Sequence, residues 1–189
     1  MSYLRKLTGT KCYLATCSTD DAEVWAQWDN DLAVAVPLGD EAFTLYPVEK
    51  MKKILQEIID KQMPVFNIVT CAADTLIGRC MLFQIDHVNR TAMLGMVIGA
   101  KDHWDKGYGL EATHLLLDYA FNLLNLNSIM LGVYAFNKRA IRCYEKAGFR
   151  IVGRRREARL IAGMTHDLVY MDLLASEFQS DMVGRIVKQ

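Results

Sequence analysis

The chain has 189 residues with 22 basic and 22 acidic side chains, so its formal net charge is zero. That length suffices for one domain burying roughly 70% of its unfolded-state surface, and an apolar share of 52% argues against disorder. A neutral chain lacks the electrostatic footprint of a nucleic-acid binder, and the one basic run, Arg154-Arg155-Arg156, is broken at once by Glu157 and reads as a solvated strand end.

Lys11 to Cys17 reads as a first strand. Ser18-Thr19-Asp20-Asp21 offers a helix cap, followed by Val24, Trp25 and Trp28 at helical spacing. After a loop with Pro37 and Gly39, Pro47 opens a second helix with apolar positions Met51, Ile54, Leu55, Ile58 and Ile59. Pro64 ends it. Val65 to Thr70, Leu76 to Ile85 and Thr91 to Ile98 then form a meander with turns at Ala72-Ala73-Asp74 and Asp86 to Arg90. Leu110 to Asn125 is helical, with Leu117, Phe121 and Leu124 on one stripe. Ile129 to Tyr134 is a strand, Lys138 to Ala147 a helix stopped by Gly148, and Phe149 to Arg155 and Asp167 to Leu174 are two more strands. The order β-α-α-β-β-β-α-β-α-β-β predicts an α/β (α+β) fold, a mixed sheet of about seven strands with helices on its faces. With neither repeat nor linker, residues 1–189 read as a single domain.

Five cysteines (Cys12, Cys17, Cys71, Cys80, Cys143) include no Cys-x-x-Cys pair, and the four histidines are scattered. Reduced thiols, a cytoplasmic location and no metal are expected. Residues 1–20 carry neither an apolar h-region nor a span of about 18 apolar residues, so neither secretion nor membrane insertion is expected.

Two stretches carry chemistry. The first is Trp104-Asp105-Lys106-Gly107-Tyr108-Gly109-Leu110-Glu111-Ala112, between a strand and a helix. Glycines there let a backbone approach a ligand closely, and the following helix turns its first N–H groups and positive dipole end toward the loop, as phosphate sites require. A plain turn is the bland alternative. The second stretch is Asn137-Lys138-Arg139-Ala140-Ile141-Arg142-Cys143-Tyr144-Glu145-Lys146-Ala147-Gly148-Phe149. Asn137 caps a short helix and Tyr144 lies two turns on, along the same face. Singly these read as a cap and a core aromatic.

Together, in this order and spacing, the two stretches resemble the GNAT superfamily of acetyl-coenzyme A-dependent N-acetyltransferases, in particular the group with ribosomal-protein and spermidine N-acetyltransferases. The resemblance covers roughly Pro64 to Leu174. It implies a splayed central strand, helices on both sheet faces, and acetyl-coenzyme A as cosubstrate without a metal. It further implies that backbone amides of Trp104, Asp105, Lys106, Gly107, Tyr108, Gly109 and Leu110 wrap the pyrophosphate. The central strand, at Met96, Val97 and Ile98, would pair with the pantetheine arm, with Asn137 and Ala140 beside that arm and Tyr144 beside the thioester sulfur. Trp104 departs from the Gln or Arg usual at the loop's start, and Asp105 is an unusual acid beside a pyrophosphate.

Acyl transfer from a thioester to an amine needs a neutral amine, an oxyanion donor and a proton for the departing thiolate. A central-strand amide serves the second need and the Tyr144 phenol the third. The base is open: relatives often carry Glu where Met93 stands, and Asp86, His87, His103 or none remain. The expected acceptor is a primary amine, of a small molecule or a protein N-terminus; Asp29, Asp31, Asp40 and Glu41 are acids that could attract it, or ordinary loop charge. A homodimer and acyl groups other than acetyl stay open, as does a sensor domain that binds acyl-coenzyme A without turnover.

Overall fold

The computed structural model describes residues 3–179 and 182–187. Its strands are β1 (Arg5–Thr8), β2 (Cys12–Ala15), β3 (Val65–Thr70), β4 (Leu76–Asp86), β5 (Thr91–Ile98), β6 (Ser128–Tyr134), β7 (Arg150–Ile161) and β8 (Met164–Leu174). The helices are α1 (Ala22–Asn30), α2 (Leu32–Ala35), α3 (Val48–Asp60), α4 (Tyr108–Asp118), α5 (Lys138–Lys146) and α6 (Met182–Val187). The strand order is β1-β2-β3-β4-β5-β6-β8-β7, an eight-stranded mixed sheet. The described residues fall into two compact units, one within 1–81 and 96–112, the other within 82–95 and 113–189.

In the first unit, β1 to β4 run antiparallel, with Cys12 opposite Thr70 and Phe66 opposite Cys80. The strand expected over Lys11 to Cys17 corresponds to β2, and Arg5–Thr8 was assigned no element. β1 was missed because only Leu7 of Arg5–Thr8 is buried, so no apolar alternation marks it. A capping box joins Ser18 and Asp21 as expected, opening a short turn that leads into α1. Helices α1 and α3 bury Trp25, Trp28, Met51 and Leu55 in one cluster with Val65 and Val97. Each fully buried side chain of this size contributes about 1.5–3 kcal/mol. Ile54 and Ile58 pack partly against it, whereas Ile59, expected on the same stripe, is 40% exposed. A buried polar chain runs through this core: Trp25 Nε1 donates to Asn67 Oδ1 at 3.1 Å, and Asn67 Nδ2 donates to the buried Asp21 carboxylate at 2.6 Å. Gly78 on β4 is required where it stands, since a Cβ there would lie 2.2 Å from the Val97 carbonyl oxygen.

In the second unit, β5 and β6 run parallel, with Thr91, Ala92 and Met93 opposite Ser128, Ile129 and Met130. Beyond Met130, β6 continues to Tyr134 along β8, with Leu131 opposite Met171 and Tyr134 opposite Leu168. β8 lies between β6 and β7 because its alternate residues Val169, Met171 and Leu173 are buried, whereas β7 is exposed over most of its length and takes the edge. Arg154, Arg155 and Arg156 are exposed but lie mid-strand, not at a strand end. A bulge follows them: between Arg155 and Arg159 the register slips, Glu157 adopts φ +50°, and its N–H donates to Asp167 Oδ1 at 2.9 Å. The helix expected over Leu110 to Asn125 starts two residues earlier, at Tyr108, and its last turn, Tyr119–Leu123, widens to a π turn.

Candidate active site

The 104–110 loop lies in the first unit. Lys101–His103 form a 3₁₀ turn, Trp104 to Gly107 turn back, and α4 begins at Tyr108. Gly107 has φ +86°, a conformation L side chains rarely adopt, so this glycine is demanded by the backbone. Gly109 is different: it sits in the first turn of α4 and is not among the positive-φ residues. The second left-handed residue of the loop is Asp105, at φ +56° and exposed; Asp is among the few side chains that tolerate this region. The Gly107 carbonyl accepts from the Glu111 N–H at 3.1 Å, so the helix is already wound where Tyr108, Gly109 and Leu110 supply its first-turn amides. A Cβ at position 107 would come within 3.2 Å of the Lys11 ammonium, so a side chain there would crowd Lys11.

Trp104 anchors the start of the loop. Its indole N–H donates to the Ile98 carbonyl at 2.6 Å, and its ring packs partly against the Trp25–Val97 cluster. The bond ties the loop to the end of β5. Lys106 is exposed, and its carbonyl accepts from Lys11 Nζ at 2.9 Å. Along β5, burial alternates from Thr91 to Leu94, then slips at Gly95 and Met96, both half-buried, before Val97 turns inward and Ile98 is half-buried.

Two residues that sequence reasoning left without a role complete this side. Glu111 holds the turn between β1 and β2: its carboxylate accepts from Thr10 N at 2.8 Å, Thr10 Oγ1 at 2.6 Å, Lys11 N at 2.8 Å and Cys12 N at 2.7 Å. Burial pushes this carboxyl up, but those hydrogen bonds outweigh it and leave the pKa lowered. Lys11 is the other. The partners lie about a hundred residues apart in the chain, so no local spacing signals them.

Asn137, Ala140 and Tyr144 lie in the second unit, on α5. Asn137 Oδ1 accepts from Ala140 N at 3.1 Å, which makes Asn137 the cap and engages the Ala140 amide. Tyr144 is 9% exposed, and its ring meets Phe149 edge-on at 5.8 Å. Phe149 N donates to the Tyr144 carbonyl at 3.0 Å, closing the helix through Gly148 at φ +101°.

The base candidates divide. Asp86 accepts from Asn89 N at 2.8 Å and Asn89 Nδ2 at 2.7 Å, and the backbone bond first, then the side chain, hold its carboxyl below the usual range. A turn cap of that kind makes a weak base. His87 is exposed, and Met93 is half-buried on β5. His103 is half-buried, meets the Tyr108 ring edge-on at 5.2 Å, and keeps a buried Nδ1 with no hydrogen-bond partner. Of the acids near the first helix, Asp29 is paired with Arg79 at 2.6 Å in a buried setting. Asp31 caps α2 and pairs with Lys101 at 2.5 Å, which holds its carboxyl low. The side chains of Asp40 and Glu41 lie outside the described residues. All five cysteines are unbridged, and burial raises the thiol pKa of each, that of Cys17 to about 12. Among the described residues no cluster of three His, Cys, Asp or Glu side chains could hold a metal ion, and no helix is long and apolar enough to cross a membrane.

Comparison with known proteins supplies the lineage. The acetyltransferase (GNAT) domain model matches residues 12–150. The uncharacterized N-acetyltransferase p20 of Bacillus licheniformis is 31% identical over 180 residues, 93% of this chain and 97% of that one. The spermidine N(1)-acetyltransferase of Vibrio cholerae serotype O1 is 34% identical over 111 residues, 59% of this chain and 64% of that one. Among solved structures, that of spermidine N-acetyltransferase from Vibrio cholerae in complex with CoA and spermine superposes with TM-score 0.79 at 26% identity, covering 89% of this chain and 98% of the other. A family match across both units, together with the positive-φ glycine before α4 and the Asn137-capped α5, leads to one conclusion: this chain belongs to the GNAT acetyltransferase family and is an acyltransferase of that family.

Proposed function

We infer that this chain moves the acetyl group of acetyl-coenzyme A to a primary amine by direct attack in a ternary complex, as one domain acting without a metal. The observation that carries the reading is Gly107, left-handed and without a Cβ, directly before the first turn of α4. That cradle fits a diphosphate: it brings first-turn amides and the positive helix end to one place. When bound, acetyl-coenzyme A supplies the activated acetyl group. The chain's own residues do the rest. The 104–110 amides hold the phosphates, Met96 to Ile98 offer backbone partners to the pantetheine arm, and Asn137 and Ala140 steady it. A β5 amide stabilises the developing oxyanion. Tyr144 gives its phenolic proton to the departing sulfur, help typically worth about 10²- to 10⁴-fold.

The acceptor is a primary amine. Asp29 and Asp31 are already neutralised by Arg79 and Lys101, so neither offers a ready carboxylate to a polyamine. One observation favours a sensor without turnover: Met93, where relatives often carry Glu, cannot accept a proton. The readings separate by titrating acetyl-coenzyme A by calorimetry and measuring thiol release over a panel of amines. Binding with release supports the enzyme; binding without release by any amine supports the sensor.

A further inference from the structure

We propose that the Lys11 ammonium is a phosphate-binding group of the 104–110 loop and takes the diphosphate of the coenzyme, an inference that rests on the function proposed above. The turn before β2 is built to aim this side chain. Gly9 N donates to the Cys12 carbonyl at 2.9 Å and closes the turn. The Glu111 carboxylate, in the first turns of α4, then receives the amides of Thr10, Lys11 and Cys12 and the Thr10 hydroxyl. The approach is so close that a Cβ at Gly9 would lie 2.6 Å from Glu111 Cδ. A carboxylate fixed by four donors holds the Lys11 backbone against the start of α4.

From there the side chain reaches the loop. Its Nζ donates to the Lys106 carbonyl at 2.9 Å and stands 3.2 Å from where a Gly107 Cβ would be. The partner is a neutral carbonyl, so that bond does not cancel the positive charge. An ammonium has three N–H donors. One meets Lys106, which leaves two for a ligand of the loop. Backbone amides, a helix N-terminus and a side-chain cation thus converge on one cradle. Glu111 is a positioning residue: it acts through Lys11.

The test is calorimetric titration of the full chain with coenzyme A and with dephospho-coenzyme A, each at low and high salt. Lys11→Met is expected to raise Kd about tenfold for both ligands and to flatten the salt dependence, because one exposed charge contact is lost. Lys11→Arg is expected to stay within about threefold of wild type, since it keeps the charge. Glu111→Gln is expected to weaken binding in the wild-type background and to add nothing once Lys11 is Met. An unchanged Kd in folded Lys11→Met overturns the proposal. So does a loss confined to coenzyme A, which assigns Lys11 to the 3′-phosphate, or a loss with unaltered salt dependence, which makes it a loop tether only. Failure of the wild type to bind either ligand overturns the proposed function itself.

Discussion

Arg79 and Asp29 form an ion pair at 2.6 Å with side chains only 7% and 3% exposed, and the guanidinium lies 4.6 Å over the Trp25 ring. Such a pair contributes little against an apolar replacement, yet losing one member strands a charge in a low dielectric. Asp29→Ala is therefore expected to cost about 3–5 kcal/mol in urea unfolding. A loss under about 1 kcal/mol would place the pair in the range of exposed salt bridges and contradict the burial argument.

Glu111 predicts a pH signature. Its folded pKa is lowered from the ordinary 4.5, so its stabilisation is fully present above 4.5 and disappears as pH falls through the folded value. Glu111→Gln should cost about 1–3 kcal/mol at neutral pH through the donors it leaves poorly matched. That difference from wild type should shrink toward zero in acid. Stability curves measured from neutral to strongly acidic pH that stay parallel would show that the Glu111 carboxylate is not the group responsible.

Much of the scaffold was legible in the chain. Val65–Thr70 and Thr91–Ile98 fall where the β-rich runs end, and Pro47 opens α3 as its fixed φ suggests. What escaped was β1, which buries one residue, and the insertion of β8 between β6 and β7, which depends on which strand has the more apolar face rather than on chain order. At the candidate site the Gly107 and Asn137 backbone roles could be read from spacing. Lys11 and Glu111 could not, because their pairing depends on a turn folding back across about a hundred residues. The acids Asp29 and Asp31, for which the sequence left open either attraction of a cationic amine or ordinary loop charge, are engaged by Arg79 and Lys101.

Gly107→Val tests the cradle. A β-branched residue at φ +86° is strained and would crowd Lys11 Nζ. Affinity for acetyl-coenzyme A should fall at least about tenfold, equivalent to about 1.4 kcal/mol. Wild-type affinity by calorimetry, with the fold intact, would remove the loop from the binding site.

The base is tested by pH. Asp86 is committed to Asn89 and Met93 carries no proton acceptor, so activity should follow the neutral fraction of the amine. The rate should rise toward each acceptor's own pKa, about 10.4 for a lysine-like amine. An acidic limb near pH 6–7 that is identical for amines of different pKa would point instead to a protein base. His103, with its buried and unpartnered Nδ1, is then the first residue to replace.

The most direct measurement is thiol release from acetyl-coenzyme A over an amine panel, comparing wild type with Tyr144→Phe where chemistry limits the rate. Removing only the phenolic proton should lower kcat by roughly 10- to 1000-fold while cofactor affinity stays nearly constant, because the proton is needed chiefly as the sulfur becomes anionic. Wild-type turnover in Tyr144→Phe would remove Tyr144 from the mechanism, and no thiol release by the wild type with any amine would contradict the proposed acetyl transfer.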